Sequence, residues 1–336
     1  MMALHVVDIS PARFLGVLQD DFWGNFWGRF AVFSMTSEQN LPLAITFLMA
    51  QIVISIAIGA FVKSISAETA LIVILCFRYI FSIPLLLVYG YIQRGRALFQ
   101  VTQKSVLVAR IIAGLMGLAS YLYAVIQLSI SLATVLAQTM SLFITMMAPL
   151  ILAERIGIRR VAGISTGFIG VLIVLNPGSE IFSSYSVEGL IAGMLSPFCG
   201  ALMYIFLRKL GASDAPISTA IWYNLAGSVL FLLLMVFLDL SVPVFSADTY
   251  GLWSILIGIG LASSLQQFLM ARSHQLAEAS TLAPFHYASA PLSIFVGIAA
   301  FNDHISLNFI LGTLVIIGAS WYILRREQHL KRTGRL

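Results

Sequence analysis

The chain has 336 residues, of which 60% are hydrophobic and only 10% are charged. A soluble domain usually contains about 25% charged residues, so this composition excludes an ordinary soluble enzyme and predicts a protein that crosses a membrane many times. The net charge of +5 does not indicate nucleic-acid binding, because the basic residues are scattered between apolar segments. Cys76 and Cys199 lie inside such segments and indicate neither a disulfide framework nor a metal site. We therefore expect no cofactor.

The first 40 residues differ from the rest of the chain. Aromatic and leucine side chains recur there at helical spacing, with Asp20, Asp21 and Arg29 between them. This pattern predicts an amphipathic helix that lies at the membrane surface rather than crossing it. Translation from Met35 is the alternative, and it would make the segment dispensable. The sequence leaves both interpretations open.

From residue 41 onward, ten apolar segments predict ten transmembrane helices, because each is close to the ~20 residues needed to cross the hydrocarbon core. They span approximately residues 43–62, 70–92, 107–126, 132–153, 159–175, 187–207, 216–238, 251–271, 280–301 and 307–324. Short segments with turn-forming residues separate them, such as Asn176-Pro177-Gly178. The predicted fold class is an all-α polytopic membrane protein.

The lysine and arginine residues predict the orientation of these helices. Sixteen of the 19 fall in the terminal segments and in every second connecting segment, whereas the opposite connecting segments contain only Lys63. Arg78 and Arg110 lie within helices and complete the count. Basic segments are retained on the cytoplasmic side, so we predict that both termini, including the basic tail at 326–336, are cytoplasmic.

The two halves of the chain share a weak internal repeat. Three pairs recur at offsets of 148 or 149 residues: Gln127-Leu128 with Gln275-Leu276, Glu154 with Asp303, and Gly163 with Gly312. The pairs divide the membrane region into two five-helix units, residues 41–178 and 179–325. Five is an odd number, so the second unit would enter the membrane upside down. The prediction is a 5+5 inverted repeat, which is an architecture of secondary transporters.

Several local patterns resemble the EamA family of the drug/metabolite transporter superfamily. They are Arg78 in CFRYIFSIPLLL, Arg110 in RIIAGLMGLASYLYA, Pro149 with Glu154-Arg155 at the end of helix 4, and Gly163, Gly167 and Gly170 in helix 5. The resemblance covers about residues 41–325 and is better in the first half, because Asn302-Asp303 replaces the usual Glu-Arg pair in the second. It implies transport of a small metabolite, such as an amino acid, a nucleoside-like compound or a vitamin.

The leading functional hypothesis is a secondary transporter that moves a small organic metabolite across the bacterial inner membrane by alternating access. All 14 acidic residues lie in connecting segments or near helix ends. Proton-coupled carriers usually keep a carboxylate at membrane depth, so a facilitator or an exchanger is favoured. A polytopic membrane enzyme and a regulatory scaffold are the alternatives. The expected partners are the substrate and the lipid bilayer; the oligomeric state is open, a homodimer included.

Polar and aromatic side chains inside the predicted helices are the candidate substrate-binding residues. Two stripes occupy single helix faces: Gln138, Ser141 and Thr145 in the fourth helix, and His286, Ser289 and Ser293 in the ninth. The other candidates are Gln51, Arg78, Trp222, Asn224, Gln266 and Tyr287. A cavity wall and interhelical hydrogen bonding both explain such stripes.

The two intramembrane arginines lead to different expectations. A buried guanidinium costs several kcal/mol unless it is paired or hydrated, and no carboxylate lies at the depth of Arg78. Its partners must then be backbone carbonyls, water or an anionic group of the substrate. Arg110 lies near the cytoplasmic start of helix 3, so we expect its side chain to extend to the membrane surface.

Overall fold

The computed structural model describes residues 41–152, 158–176, 185–210, 213–242, 249–276, 282 and 285–332. The predicted surface helix within residues 1–40 lies outside this described part. The described residues form eleven α-helices and one short 3-10 helix, Gly95–Phe99. The α-helices are α1 (Leu41–Ile65), α2 (Leu71–Arg94), α3 (Lys104–Gln127), α4 (Ile130–Ala137), α5 (Met140–Leu152), α6 (Ile158–Leu175), α7 (Val187–Leu210), α8 (Pro216–Phe237), α9 (Tyr250–Leu276), α10 (Ser289–Phe301) and α11 (Leu307–Arg332).

The all-helical, multi-pass fold class is confirmed. Seven helical stretches of the described chain are long and apolar enough to cross a membrane, and α4 and α5 together contribute one of them. Three shorter apolar helices, Val161–Leu175, Ser289–Phe301 and Leu307–Ile323, coincide with the remaining predicted segments. Hydrophobicity therefore located the helical segments along the chain, whereas their orientation in the membrane stays a prediction.

The fourth predicted segment, residues 132–153, is not one continuous helix, because α4 and α5 are separated at Gln138 and Thr139. The Thr139 amide donates to the Leu136 carbonyl at 3.0 Å, a tighter turn than the α-helical pattern. The Thr139 hydroxyl donates to the same carbonyl at 2.7 Å. A side chain that competes for a helix carbonyl weakens the regular pattern. Since neither glycine nor proline marks this position, the sequence did not predict the break.

The ninth predicted segment, residues 280–301, is irregular at the corresponding position. A turn at Tyr287 and Ala288 precedes α10, which begins at Ser289. The start of α5 at Met140 and the start of α10 at Ser289 are 149 residues apart, the same offset as in the predicted repeat. The fourth helices of the two predicted units thus break at matching positions.

The helices pack in pairs that join one predicted unit to the other. α3 packs along α7, α2 against α8 and α9, α6 against α11, and α4 against α10. At the α6–α11 crossing the two backbones touch, since a Cβ added to Gly312 would lie 2.6 Å from the carbonyl oxygen of Gly170. This interleaving places polar residues from both units next to each other inside the bundle.

Asp214, between α7 and α8, fixes the beginning of α3. Its carboxylate accepts hydrogen bonds from the backbone amides of Thr102 at 2.6 Å and Gln103 at 3.3 Å. A carboxylate at this position satisfies amides that have no partner within the helix and complements the helix dipole. The hydrogen bond from the Thr102 amide lowers the pKa of the Asp214 carboxyl below its ordinary value.

We expect Asp214→Asn to lower the apparent melting temperature of the purified protein near neutral pH. A carboxyl whose pKa is lowered by folding stabilises the protein above its ordinary pKa, and this contribution is lost as the pH falls through the folded-state value. The difference from the native protein should therefore shrink on acidification to about pH 4 or below. Size-exclusion thermostability assays measure it, with the exposed Asp239→Asn as control. A difference that does not change with pH would contradict this role of the charge.

Candidate substrate site

The breaks in the two fourth helices meet inside the bundle. Gln138, at the break between α4 and α5, donates through Nε2 to the backbone carbonyl of His286 at 3.4 Å and also to the hydroxyl of Ser289. The Ser289 hydroxyl donates in turn to the His286 carbonyl at 2.8 Å. Broken helices leave backbone carbonyls without helical partners, and here side chains from both units satisfy one of them.

Further hydroxyl groups extend this contact along α5 and α11. The Ser141 hydroxyl hydrogen-bonds with the Ser320 hydroxyl at 2.8 Å, and the Tyr287 hydroxyl lies beside both. We refer to the group Gln138, Ser141, Tyr287, Ser289 and Ser320 as the polar seam. Its members form hydrogen bonds largely with one another, so residues of the polar stripes hold neighbouring helices together.

Thr145 and Ser293 also belong to the two predicted stripes, and their hydroxyl groups bond within their own helices. Thr145 is buried, and its hydroxyl donates to the Ser141 carbonyl at 2.9 Å. Ser293 is fully buried, and its hydroxyl donates to the Ala290 carbonyl at 2.9 Å. These two positions continue the seam toward opposite ends of the bundle.

A second polar group connects α2, α3 and α8. The Arg78 guanidinium lies over the ring of Tyr79, 5.3 Å from its centroid. The Tyr79 and Tyr223 hydroxyls are hydrogen-bonded at 2.8 Å, and the Tyr223 hydroxyl lies 3.2 Å from the Gly114 carbonyl. The Arg110 guanidinium lies over the Tyr223 ring at 5.0 Å. Arg78, Tyr79, Arg110 and Tyr223 form what we term the arginine–tyrosine cluster.

The two arginines of this cluster differ in their hydrogen bonding. Arg110 is only 7% exposed, and its Nη1 donates to the Thr219 carbonyl at 2.9 Å, so the prediction that it extends to the membrane surface is wrong. Its Nε has no partner. Arg78 is 6% exposed, and both its Nε and its Nη1 are buried without a hydrogen-bond partner. A charged donor without a hydrogen-bond partner is costly in an apolar interior, so Arg78 is less well satisfied than Arg110.

Gln51 is the other candidate with an unsatisfied group. It lies on α1 and is 9% exposed, and its Oε1 is buried without a hydrogen-bond partner. Buried side-chain oxygens normally accept at least one hydrogen bond. Gln51 therefore has a free acceptor and Arg78 has free donors, whereas the polar seam is largely self-satisfied.

Three further candidates lie on α8 and α9. Asn224 is fully buried, and its Nδ2 donates to Gln267 Oε1 at 3.3 Å. Gln266, the neighbouring candidate that the sequence predicts, is half-buried in α9. Adjacent residues point about 100° apart around a helix, so only the packing of α9 shows which glutamine meets α8. Trp222 is 38% exposed, and its indole donates to the Phe99 carbonyl at 3.0 Å, so it does not join either polar group.

Sequence reasoning missed the two tyrosines of the arginine–tyrosine cluster. Tyrosine is common in apolar segments, and neither Tyr79 nor Tyr223 lies on a polar stripe. For Tyr79, the position beside a basic residue could have indicated a role, since it directly follows Arg78, the only basic residue in the interior of its helix. A buried tyrosine hydroxyl needs a hydrogen-bond partner, and here the two hydroxyls supply it to each other.

A helical bundle of interleaved halves, with broken helices that meet inside, is typical of membrane transporters. The chain matches the EamA-like transporter family twice, over residues 42–176 and again over residues 187–325. The protein therefore belongs to the EamA-like transporter family. It is a transporter rather than an enzyme, and the resemblance to this family is confirmed.

Individual relatives agree with this assignment. A riboflavin transporter of Brucella anthropi is 29% identical over 227 residues, which cover 68% of this chain and 78% of the relative. An S-adenosylmethionine uptake transporter of Rickettsia bellii is 24% identical over 258 residues, which cover 75% of this chain and 83% of the relative. A protein of known crystal structure, 16% identical, aligns with a TM-score of 0.57 over 86% of this chain and 99% of its own. That last likeness concerns the fold alone.

Proposed function

We propose that the protein is a secondary carrier that moves a flat, vitamin-like metabolite across the bacterial inner membrane by alternating access. Its two five-helix units, residues 41–178 and 179–325, would be inverted relative to each other, with both termini in the cytoplasm. The double family match and the excess of basic residues in alternate connecting segments support this arrangement. Without a carboxylate in the interior of a spanning helix, the carrier acts as a facilitator or an exchanger.

The observation that supports this mechanism best is the contact between the two helix breaks at Gln138 and Ser289. Substrate sites of secondary transporters lie between the repeats and are commonly formed by discontinuous helices. In this proposal the substrate displaces bonds of the polar seam, so Gln138, Ser141 and Tyr287 become substrate contacts. Such exchange costs little, because each bond that is lost within the protein is replaced by one to the substrate.

The remaining candidates form the wall of the same path. Arg78 donates to an oxygen of the substrate, and Gln51 accepts from it, which satisfies the buried groups that lack partners. Four further candidates contribute polar surface at other points of the path: Asn224, Gln266, Thr145 and His286. Trp222 contributes its aromatic ring at the rim of the path.

Riboflavin is the favoured substrate. It is an uncharged flat heterocycle with carbonyl acceptors, which suit the free guanidinium donors of Arg78. Its hydroxyl-bearing side chain suits the serine-rich seam. The transporters of Brucella anthropi and Vibrio cholerae, which are 29% and 30% identical to this chain, are both named for riboflavin.

S-adenosylmethionine is the second candidate, because the relative from Rickettsia bellii is named for its uptake. This compound contains a sulfonium cation. Of the 14 acidic residues in the sequence, none lies in the interior of a spanning segment, so a carboxylate to balance that cation is lacking there. The electrostatics thus favour riboflavin.

Counterflow in proteoliposomes tests both substrates with one preparation. Vesicles are loaded with unlabelled riboflavin or unlabelled S-adenosylmethionine, and uptake of the same labelled compound is measured. We expect transient accumulation of labelled riboflavin that unlabelled riboflavin outside suppresses and that amino acids do not. Accumulation of S-adenosylmethionine alone would favour the second candidate. Exchange of neither compound, nor of a broader panel of nucleosides and vitamins, would count against the proposed substrate class.

A further inference from the structure

Lys63, Ser131 and Asp303 meet at one end of the helix bundle, and we refer to them as the Asp303 cluster. The Asp303 carboxylate accepts hydrogen bonds from the Ser131 hydroxyl at 2.8 Å and from the Ser131 backbone amide at 3.3 Å. The Lys63 ammonium donates to the Leu128 carbonyl and is attracted by the Asp303 charge. The cluster thus combines the fully buried Ser131 with two half-buried charged side chains from distant parts of the chain.

The backbone after α10 is shaped to bring Asp303 into this position. Asn302 adopts the left-handed conformation, with φ 53° and ψ 38°, and the amides of Asn302 and Asp303 both donate to the Gly297 carbonyl. The chain therefore folds back against its own helix, as in a Schellman-type ending. A Cβ at Gly297 would lie 2.3 Å from both the Asp303 carboxylate and the Ser131 hydroxyl, so a glycine is required for this approach.

The cluster joins the two matched regions of the family. Lys63 is in the last turn of α1 and Ser131 in the first turn of α4, both within residues 42–176. Asp303 follows α10, within residues 187–325. In an alternating-access carrier, the contacts between helices that close the path at one end must break when the path opens at that end.

Apolar side chains pack closely in the bundle directly beside the cluster. Ile130 and Leu132 flank Ser131 and are fully buried, and Phe301 and Ile305 pack against the same core. The Lys63 ammonium lies over the Phe301 ring, 5.4 Å from its centroid. These buried side chains exclude water below the cluster, and the hydrogen bonds of Asp303 join the start of α4 to the end of α10.

A continuous set of contacts leads from the cluster to the polar seam. The Ser131 hydroxyl also lies 3.3 Å from the carbonyl of Ser293, a fully buried residue on α10. Ser289 lies one helical turn further inside and bonds to Gln138. One turn is about 5.4 Å, so the Asp303 cluster lies roughly two turns from the proposed substrate site.

We propose that Asp303, with Ser131 and Lys63, closes the transport path at the end of the bundle where α4 begins and α10 ends. This inference rests on the proposed alternating-access function. In the orientation proposed above, that end faces the outside of the cell. The structure is closed at this end, and opening requires the Asp303 carboxylate to leave Ser131 and become hydrated.

Thiol accessibility tests this closure without a known substrate. Cys76 and Cys199 are replaced by alanine, and Ser293→Cys serves as a reporter because it is buried beside Ser131. A membrane-impermeant thiol reagent is applied separately to right-side-out and inside-out vesicles. We expect Asp303→Asn to raise the labelling rate roughly tenfold from one side only, because the hydrogen bonds from Ser131 lose the charge that strengthens them in the closed state. The exposed Asp239→Asn is the matched control and should leave the rate unchanged.

Ser131→Ala keeps the test decisive where Asp303→Asn does not reach the membrane. It removes the hydroxyl donor and should also raise labelling from that side. Unchanged labelling in both Asp303→Asn and Ser131→Ala overturns the proposal, and so does an equal rise from both sides. Because the measurement needs no substrate, a negative riboflavin assay does not affect its interpretation.

Discussion

Replacement of Arg78 by glutamine should reduce riboflavin counterflow per folded molecule by about tenfold or more, whereas Arg110→Gln should reduce it far less. Arg78 is buried and its Nε and Nη1 have no hydrogen-bond partner, and in the proposed site these donors bind the substrate. A hydrogen bond between a charged donor and an acceptor contributes about 1.5–3 kcal/mol. Loss of one such bond lowers affinity by roughly 10- to 100-fold.

Arg110 is the matched control, because it belongs to the same arginine–tyrosine cluster and is equally buried. Its Nη1 is already bonded to the Thr219 carbonyl, and its guanidinium covers the Tyr223 ring. Removing it takes away this hydrogen bond and the packing on the Tyr223 ring, which affects folding more than substrate binding. We therefore expect Arg110→Gln to lower the amount of folded protein in the membrane while the transport rate per molecule is largely retained.

The measurement divides the initial counterflow rate by the amount of monodisperse protein in the vesicles. Arg78→Lys provides a second comparison, since lysine keeps the charge but lacks the planar set of donors. An intermediate rate for this variant indicates that donor geometry matters as well as charge. If Arg110→Gln impaired transport per molecule more than Arg78→Gln, the assignment of Arg78 to the substrate path would have to be withdrawn.

The second large effect concerns stability at the α6–α11 crossing. We expect Gly312→Ala to lower the apparent melting temperature by several degrees, because the added Cβ would lie 2.6 Å from the Gly170 carbonyl oxygen and from the Val174 amide nitrogen. Both neighbours are backbone atoms, so neither can rotate away. Overpacking of a close interface typically costs about 1–3 kcal/mol.

Gly318→Ala is the control, since it lies on the same helix and a Cβ there meets no atom within 4 Å. Alanine has the higher helix propensity, so this variant should melt at the native temperature or slightly above it. Thermostability in detergent, followed by fluorescence-detected size exclusion, measures both. Equal melting temperatures for the two variants would mean that α6 and α11 do not approach as closely as described.

Much of the fold follows from local properties of the sequence. Whether a segment crosses a membrane depends on the hydrophobicity of about 20 consecutive residues, so the ten apolar segments were recognisable without any tertiary information. The offset of 149 residues between Glu154 and Asp303 recurs between the starts of α5 and α10. Composition also selected Gln138, Ser141 and Ser289, because polar residues are conspicuous in apolar helices.

The partners of these residues were decided by tertiary packing alone. Gln138 bonds to Ser289, and Arg110 to Thr219, across separations of more than 100 residues, and helical periodicity contains no information about such contacts. Gln266 and Gln267 point in different directions around α9, and the packing of this helix determines that Gln267 reaches Asn224. The sequence by itself therefore determined that this is a multi-pass helical membrane protein with a repeated design. Only the packing of its helices decided which buried groups are satisfied and which, above all Arg78, are not, because hydrogen bonding depends on interatomic distances that only the folded chain defines.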